Sequence, residues 1–109
     1  MYEDVYSSPE RFGLTIVGSL DAPLSYEFSM LVVWQRDEDG ALLWDTDSGC
    51  SCPSPWENRS SVDGLRRIDN VAEFVREARS WATGQDIARD DMERLVRKVR
   101  ALKKKAVAA

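Results

Sequence analysis

The chain of 109 residues contains no histidine, and that absence removes more chemistry than any other feature. Without it no Ser–His or Cys–His nucleophile pair can be assembled, nor any mixed cysteine–histidine metal set. The two cysteines, Cys50 and Cys52, are too few for a secreted disulfide framework and are not spaced as Cys-x-x-Cys. The six glycines are scattered, so no glycine-rich phosphate loop is expected. The longest apolar run, from Met30 to Trp34, falls far short of the about 20 residues that span a bilayer. Met1-Tyr2-Glu3-Asp4 has no basic region and no apolar run after it, so no secretory signal is expected and the expected location is the cytoplasm. No catalytic constellation and no cofactor follow from the residues, and a non-enzymatic protein is expected.

What is present suits a single domain with its own core, 43% hydrophobic and 31% charged. The net charge of −4 hides a division: residues 1–65 sum to −9 and residues 66–109 to +5. Two faces with different partners would produce such asymmetry. So would two halves that neutralise each other in the fold or between copies.

The first half reads as strands. Phe12, Leu14 and Ile16 alternate with Gly13, Thr15 and Val17 before Asp21-Ala22-Pro23 ends the pattern. Tyr26, Phe28, Met30, Val32 and Trp34 share one face of a second strand, which becomes apolar on both faces from Met30 to Trp34, as in a covered central strand. Arg36-Asp37-Glu38-Asp39-Gly40 reads as a hairpin loop, and residues 41–45 as a third strand. The second half reads as helices. Asp69 or Asn70 caps the first, with Glu73 placed for a capping box. Val71, Phe74, Val75, Ala78, Trp81 and Ala82 form its apolar stripe, and Thr83-Gly84 ends it. A second helix is expected over about residues 85–105, its acids early and its bases late in keeping with the helix dipole. Strands followed by helices select an α+β fold: a three-stranded antiparallel meander and two C-terminal helices. The expected divisions are a sheet over 1–46, a Cys/Pro/Trp loop over 47–65, and a helical part over 66–109.

The loop joining the halves concentrates unusual residues, from Trp44 through Cys50 and Cys52 to Pro53, Pro55, Trp56 and Glu57. Proline-stiffened loops present contact surface at low entropy cost, and tryptophan is enriched among interface hot spots. Trp44, Asp45, Asp47, Trp56 and Glu57 are therefore the candidate binding residues, with Trp56 as anchor if exposed. A tryptophan beside prolines in so small a domain is more commonly core. Cys50, Cys52, Asp45 and Asp47 could ligate a metal, but the chain offers no second cysteine pair, and packing of small buried cysteines under Trp44 and Trp56 is the favoured reading. Asp45 and Asp47 also lie two apart, a weak signal for paired carboxylates.

Arg94, Arg97, Lys98, Arg100, Lys103, Lys104 and Lys105 form a basic stretch with no acid among them. Contact with nucleic-acid phosphates is one use. The lack of aromatics beyond Trp81 argues against base stacking and favours a solvated helix face. Met92, Leu95, Val99, Leu102 and Ala106 follow heptad spacing over about two heptads, short of a stand-alone coiled coil, so packing on the sheet or the first helix is favoured over a homodimer through this helix.

The segment Asp47-Ser48-Gly49-Cys50-Ser51-Cys52-Pro53-Ser54-Pro55-Trp56-Glu57 resembles the signature of a small family of unknown function from actinobacteria and their bacteriophages. Tyr2-Glu3-Asp4-Val5-Tyr6, Pro9 to Leu14, Tyr26-Glu27-Phe28 and Val32-Val33-Trp34 fit the same pattern, which tends to Phe where this chain has Trp56. The resemblance covers roughly residues 2–80 and leaves out the basic helix. It implies a phage- or prophage-type accessory protein acting inside an actinobacterial cell; small size, the charge division and the stiff Trp-bearing loop add the expectation that it binds a host or phage protein. Association with nucleic acid through the basic helix and metal binding at the Cys-x-Cys loop are the alternatives. No membrane partner is expected.

Overall fold

The computed structural model describes residues 4–23, 27–50, 56 and 61–108. Four strands form one antiparallel sheet in the order β1 (Leu14–Asp21), β2 (Glu27–Arg36), β3 (Leu42–Cys50) and β4 (Arg66–Arg67). Two helices follow, α1 (Val71–Gly84) and α2 (Arg89–Ala108). The expected α+β class holds, with one strand more than the three anticipated. β4 is two residues long, pairing Arg67 with Leu43 and Arg66 with Trp44. An Arg-Arg pair shows no alternation, which is why it escapes a periodicity reading. β3 runs to Cys50 rather than stopping at residue 45, because Thr46 to Cys50 keep register with Glu27 to Leu31.

β2 explains the two-sided apolar run. Met30, Val32 and Trp34 join Val5, Leu14, Leu43, Trp56 and Leu65 in one buried cluster. Leu31 and Val33 join a second cluster with Leu20, Trp44, Ile68 and the apolar stripes of both helices. The sheet is thus covered on both faces, by helices on one and by irregular chain on the other. On the irregular side Trp34 Nε1 donates to the Val5 carbonyl at 2.9 Å and fixes the N-terminal segment. Asp4, also buried, accepts from the Tyr6 and Ser7 N–H groups at 2.9 and 2.7 Å and closes the turn that brings Val5 inward.

β1 serves both faces through a bulge. Ile16 pairs with Trp34 and Gly18 with Val33, so Val17 is the extra residue and the side-chain alternation inverts there. Leu14 and Ile16 lie with the first cluster, Val17 and Leu20 with the second. Just past the bulge α2 approaches so closely that a Cβ on Gly18 would lie 2.9 Å from Leu95 Cδ1. Only glycine admits that approach without displacement.

The β2–β3 loop is wired internally. Gly40, at φ 75°, donates its N–H to the Arg36 carbonyl at 2.7 Å. Arg36 grips Asp39 bidentately, Nε at 2.9 Å and Nη2 at 2.7 Å. Those hydrogen bonds, joined by one from the Ala41 N–H, hold the Asp39 carboxyl far below the usual carboxylate range and raise Arg36 in return.

Of the two expected caps, α1 uses Asn70, whose Oδ1 accepts from the Glu73 N–H at 3.0 Å. α2 begins at Arg89, later than the expected residue 85. The Gln85 and Ile87 N–H groups both bond the Ala82 carbonyl, and Asp86 adopts a left-handed φ of 58°, so this stretch turns the chain instead of starting a helix. Met92, Leu95, Val96 and Val99 are buried in the second cluster and Leu102 packs against it. Most of the heptad seam is therefore internal, which leaves little of it for a coiled-coil homodimer.

Candidate functional site

The joint between the halves is, where described, a structural corner. Trp56 is fully buried, edge-on to Trp34 at 5.2 Å and stacked on Tyr6 at 6.4 Å. Its φ of 68° is rare for a bulky side chain and costs about 1–3 kcal/mol. The Asp47 carboxylate offsets this by accepting the Trp56 N–H at 2.8 Å. Trp44 is also buried, edge-on to Phe74 of α1 at 5.1 Å. Trp44 and Trp56 are thus both buried, a correction to their reading as exposed contact surface: Trp44 lies on the helical face against Phe74, and Trp56 packs with Trp34 and Tyr6 on the opposite face.

Asp45 and Asp47 share the sheet face of Val32 and Met30, as their spacing requires. Asp47 is engaged by the Trp56 N–H, while Asp45 accepts the Thr46 N–H at 2.8 Å and lies 3.7 Å from Arg66 Nε. Both carboxylates thus have structural partners. Glu57, Cys52 and the Cys50 side chain lie outside the described residues, so the Cys-x-Cys reading does too. Among the described residues no cluster of potential metal ligands occurs.

The basic stretch divides. Arg94 pairs with Asp91 at 3.3 Å, and Lys103 Nζ donates to the Ile68 carbonyl at 2.8 Å, tying α2 to the end of β4. Arg97, Lys98, Arg100 and Lys104 are exposed and make no ion pair among the described residues. The Lys105 side chain lies outside them.

A different surface brings together the residue types that bind proteins. Arg66 of β4 lays its guanidinium over the Trp44 ring at 4.0 Å and pairs with Glu77 of α1 at 3.3 Å. Beside it opens a groove of about 490 Å3 between β3 and α1, lined by Trp44, Thr46, Arg66, Arg76, Ser80 and Trp81 among others. Trp81 is half-buried, its inner side on the core and its outer side in the groove. Arg76 is exposed without an ion pair among the described residues. β4 covers only Leu43 and Trp44. Of the expected contact residues, Trp44 lines the groove, and Asp45 lies on the opposite sheet face.

Trp81, Arg66 and Arg76 do not stand out as a set in the sequence. Trp81 stands on the flank of the α1 stripe, and a large aromatic at a stripe's flank beside basic residues was the signal available.

The fold is α+β, with a surface groove between β3 and α1. The chain belongs to a family described as a domain of unknown function, DUF7574, whose model matches residues 3–109. The match includes the basic helix, which the sequence resemblance had left out. No curated protein and no solved structure matches the chain. Among the described residues no helix is long and apolar enough to cross a membrane.

Proposed function

We propose that this chain is a non-enzymatic interaction protein, a phage- or prophage-type accessory domain that binds another protein in the cytoplasm of an actinobacterial cell. The observation that carries the reading is the groove at Trp81. Trp and Arg dominate interface hot spots because each joins a large apolar area to directional polar contact. Here a half-buried Trp81 lines one groove with Arg66 and Arg76, on a helix and a strand that are packed and hydrogen-bonded into the fold. A surface held in place before binding loses little freedom on association.

The test is quantitative affinity capture from nuclease-treated actinobacterial lysate with the wild-type chain, Arg76→Glu and Trp81→Ala. A stoichiometric protein retained by the wild type and reduced about tenfold or more by either folded variant supports the reading, since that loss matches a hot spot of ~1.4 kcal/mol or above. Equal retention by all three removes the groove from the interface.

A second reading is supported by the exposed cations of α2. Arg97, Lys98, Arg100 and Lys104 lack ion pairs among the described residues and could contact nucleic-acid phosphates. It calls for binding to DNA or RNA at low salt that falls steeply as salt rises. Absence of retardation at low salt would end it.

A further inference from the structure

The two long edges of the sheet differ. β4 covers part of β3, whereas β1 is the last strand on its side, and among the described residues nothing pairs with its outer edge. The Ala22 N–H donates to the Ser29 carbonyl at 2.9 Å. By the alternation of an antiparallel ladder, Leu20 also turns its backbone groups to β2, and Ser19 and Asp21 turn theirs outward. The bulge at Val17 lies behind these residues, and Gly18 to Asp21 keep regular register. An edge of this kind is a template for another strand.

Beside the edge runs a cleft of about 360 Å3 between β1 and α2. Its charged residues are Asp21, Asp91, Arg94 and Lys98, two of each sign. Such a surface is a poor complement to a uniformly acidic or basic ligand. It is a good complement to itself turned end for end, because on α2 the cleft's acid, Asp91, stands in the first turn and its bases, Arg94 and Lys98, follow.

The geometry points to β1 as a dimerisation edge. A second copy of this chain pairs its β1 antiparallel to the first about a two-fold axis, joining the two sheets into one. The outward groups set the register: Leu20 lies on the axis, and Ser19 of each copy stands opposite Asp21 of the other, each pair exchanging two backbone hydrogen bonds. Ser19 and Asp21 share a sheet face, pairing with Val32 and Met30, so each Ser19 hydroxyl meets a carboxylate rather than another hydroxyl. On the helical face the same axis lays the two α2 helices antiparallel, which brings Lys98 of each copy towards Asp91 of the other. The interface lies at the sheet edge away from Trp81, so the dimer keeps two grooves open, and it does not depend on what those grooves bind.

The experiment is light scattering after size exclusion, or sedimentation equilibrium, on the full chain from about 1 µM to about 1 mM. The wild type is expected to form dimers within that range. Ser19→Pro removes an outward N–H without breaking a bond to β2, a position where edge strands tolerate proline, and is expected to be folded and monomeric. Lys98→Glu is expected to weaken the dimer roughly tenfold, and the swap Asp91→Lys/Lys98→Glu to recover most of that loss. A wild type that stays monomeric throughout overturns the proposal, as does a folded Ser19→Pro that still dimerises. Should Ser19→Pro fail to fold, the charge variants decide: a dimer indifferent to Lys98→Glu, or a swap no better than the single change, overturns it equally.

Discussion

The two faces of this sheet are buried to a similar degree by opposite means. On one face α1 and α2 lay regular apolar stripes across Leu31, Val33 and Trp44. On the other, Val5, Trp56 and Leu65, drawn from irregular chain, close over Met30, Val32 and Trp34. The helical cover satisfies its own backbone and needs only packing. The irregular cover must find a partner for each backbone group it buries, and it finds them in Trp34, Asp4 and Asp47. Polar groups inside an apolar layer therefore mark the irregular face, while the helical face leaves grooves where its two cylinders fail to cover the sheet edges.

The largest expected effect breaks the irregular face at its centre. Trp34→Ala empties a fully buried site and frees the Val5 carbonyl, so a loss of about 3–5 kcal/mol is expected in urea denaturation. On the helical face, Gly18→Val drives a side chain into Leu95 and should cost about 1–3 kcal/mol. Combining it with Leu95→Ala sharpens the point: the pair should be distinctly non-additive, the double variant losing less than the sum. Asn70→Ala removes a single exposed cap of the helical cover, with an expected loss of about 1 kcal/mol in the same assay.

The smallest effect lies outside both faces, in the hairpin loop. Asp39 titrates below its ordinary value of 3.8 in the folded chain, first through its hydrogen bonds from Arg36 and then through that from Ala41. A depressed carboxylate contributes stability that is fully present above the unfolded value and is lost as pH falls through the folded one. Asp39→Asn should therefore be slightly less stable than wild type near neutral pH, and the two should converge as the pH drops below about 3.8. Urea melts at a series of pH values read this directly, and parallel curves down to strong acid would show that the loop carboxylate contributes nothing.

The same contrast governs what the sequence made legible. Periodic elements were readable: the face of Phe28 to Trp34, the stripe from Val71 to Ala82 and the cap at Asn70 each follow a repeat or a local rule. β4 was not, because two arginines carry no period, and its pairing is set by where Leu65 and Ile68 are buried on opposite faces. The bulge at Val17 was hidden because it inverts an alternation that either register would satisfy. The candidate site was only half legible. Trp44 and Trp56 stand out in the sequence by their company of prolines and acids, yet Asp47 holds the Trp56 backbone and Phe74 packs on Trp44 in the interior. Trp81 looked like one more core position, and only the placement of α1 beside β3 turns its outer side to a groove.

Iodide quenching of tryptophan fluorescence tests this reassignment most directly, since iodide reaches exposed indoles and not enclosed ones. Wild type, Trp81→Phe and Trp56→Phe would be compared under native conditions. One quenchable fraction is expected, lost in Trp81→Phe and retained in Trp56→Phe. A fraction that survives in Trp81→Phe and disappears in Trp56→Phe would contradict the reassignment, placing the accessible indole back in the joint.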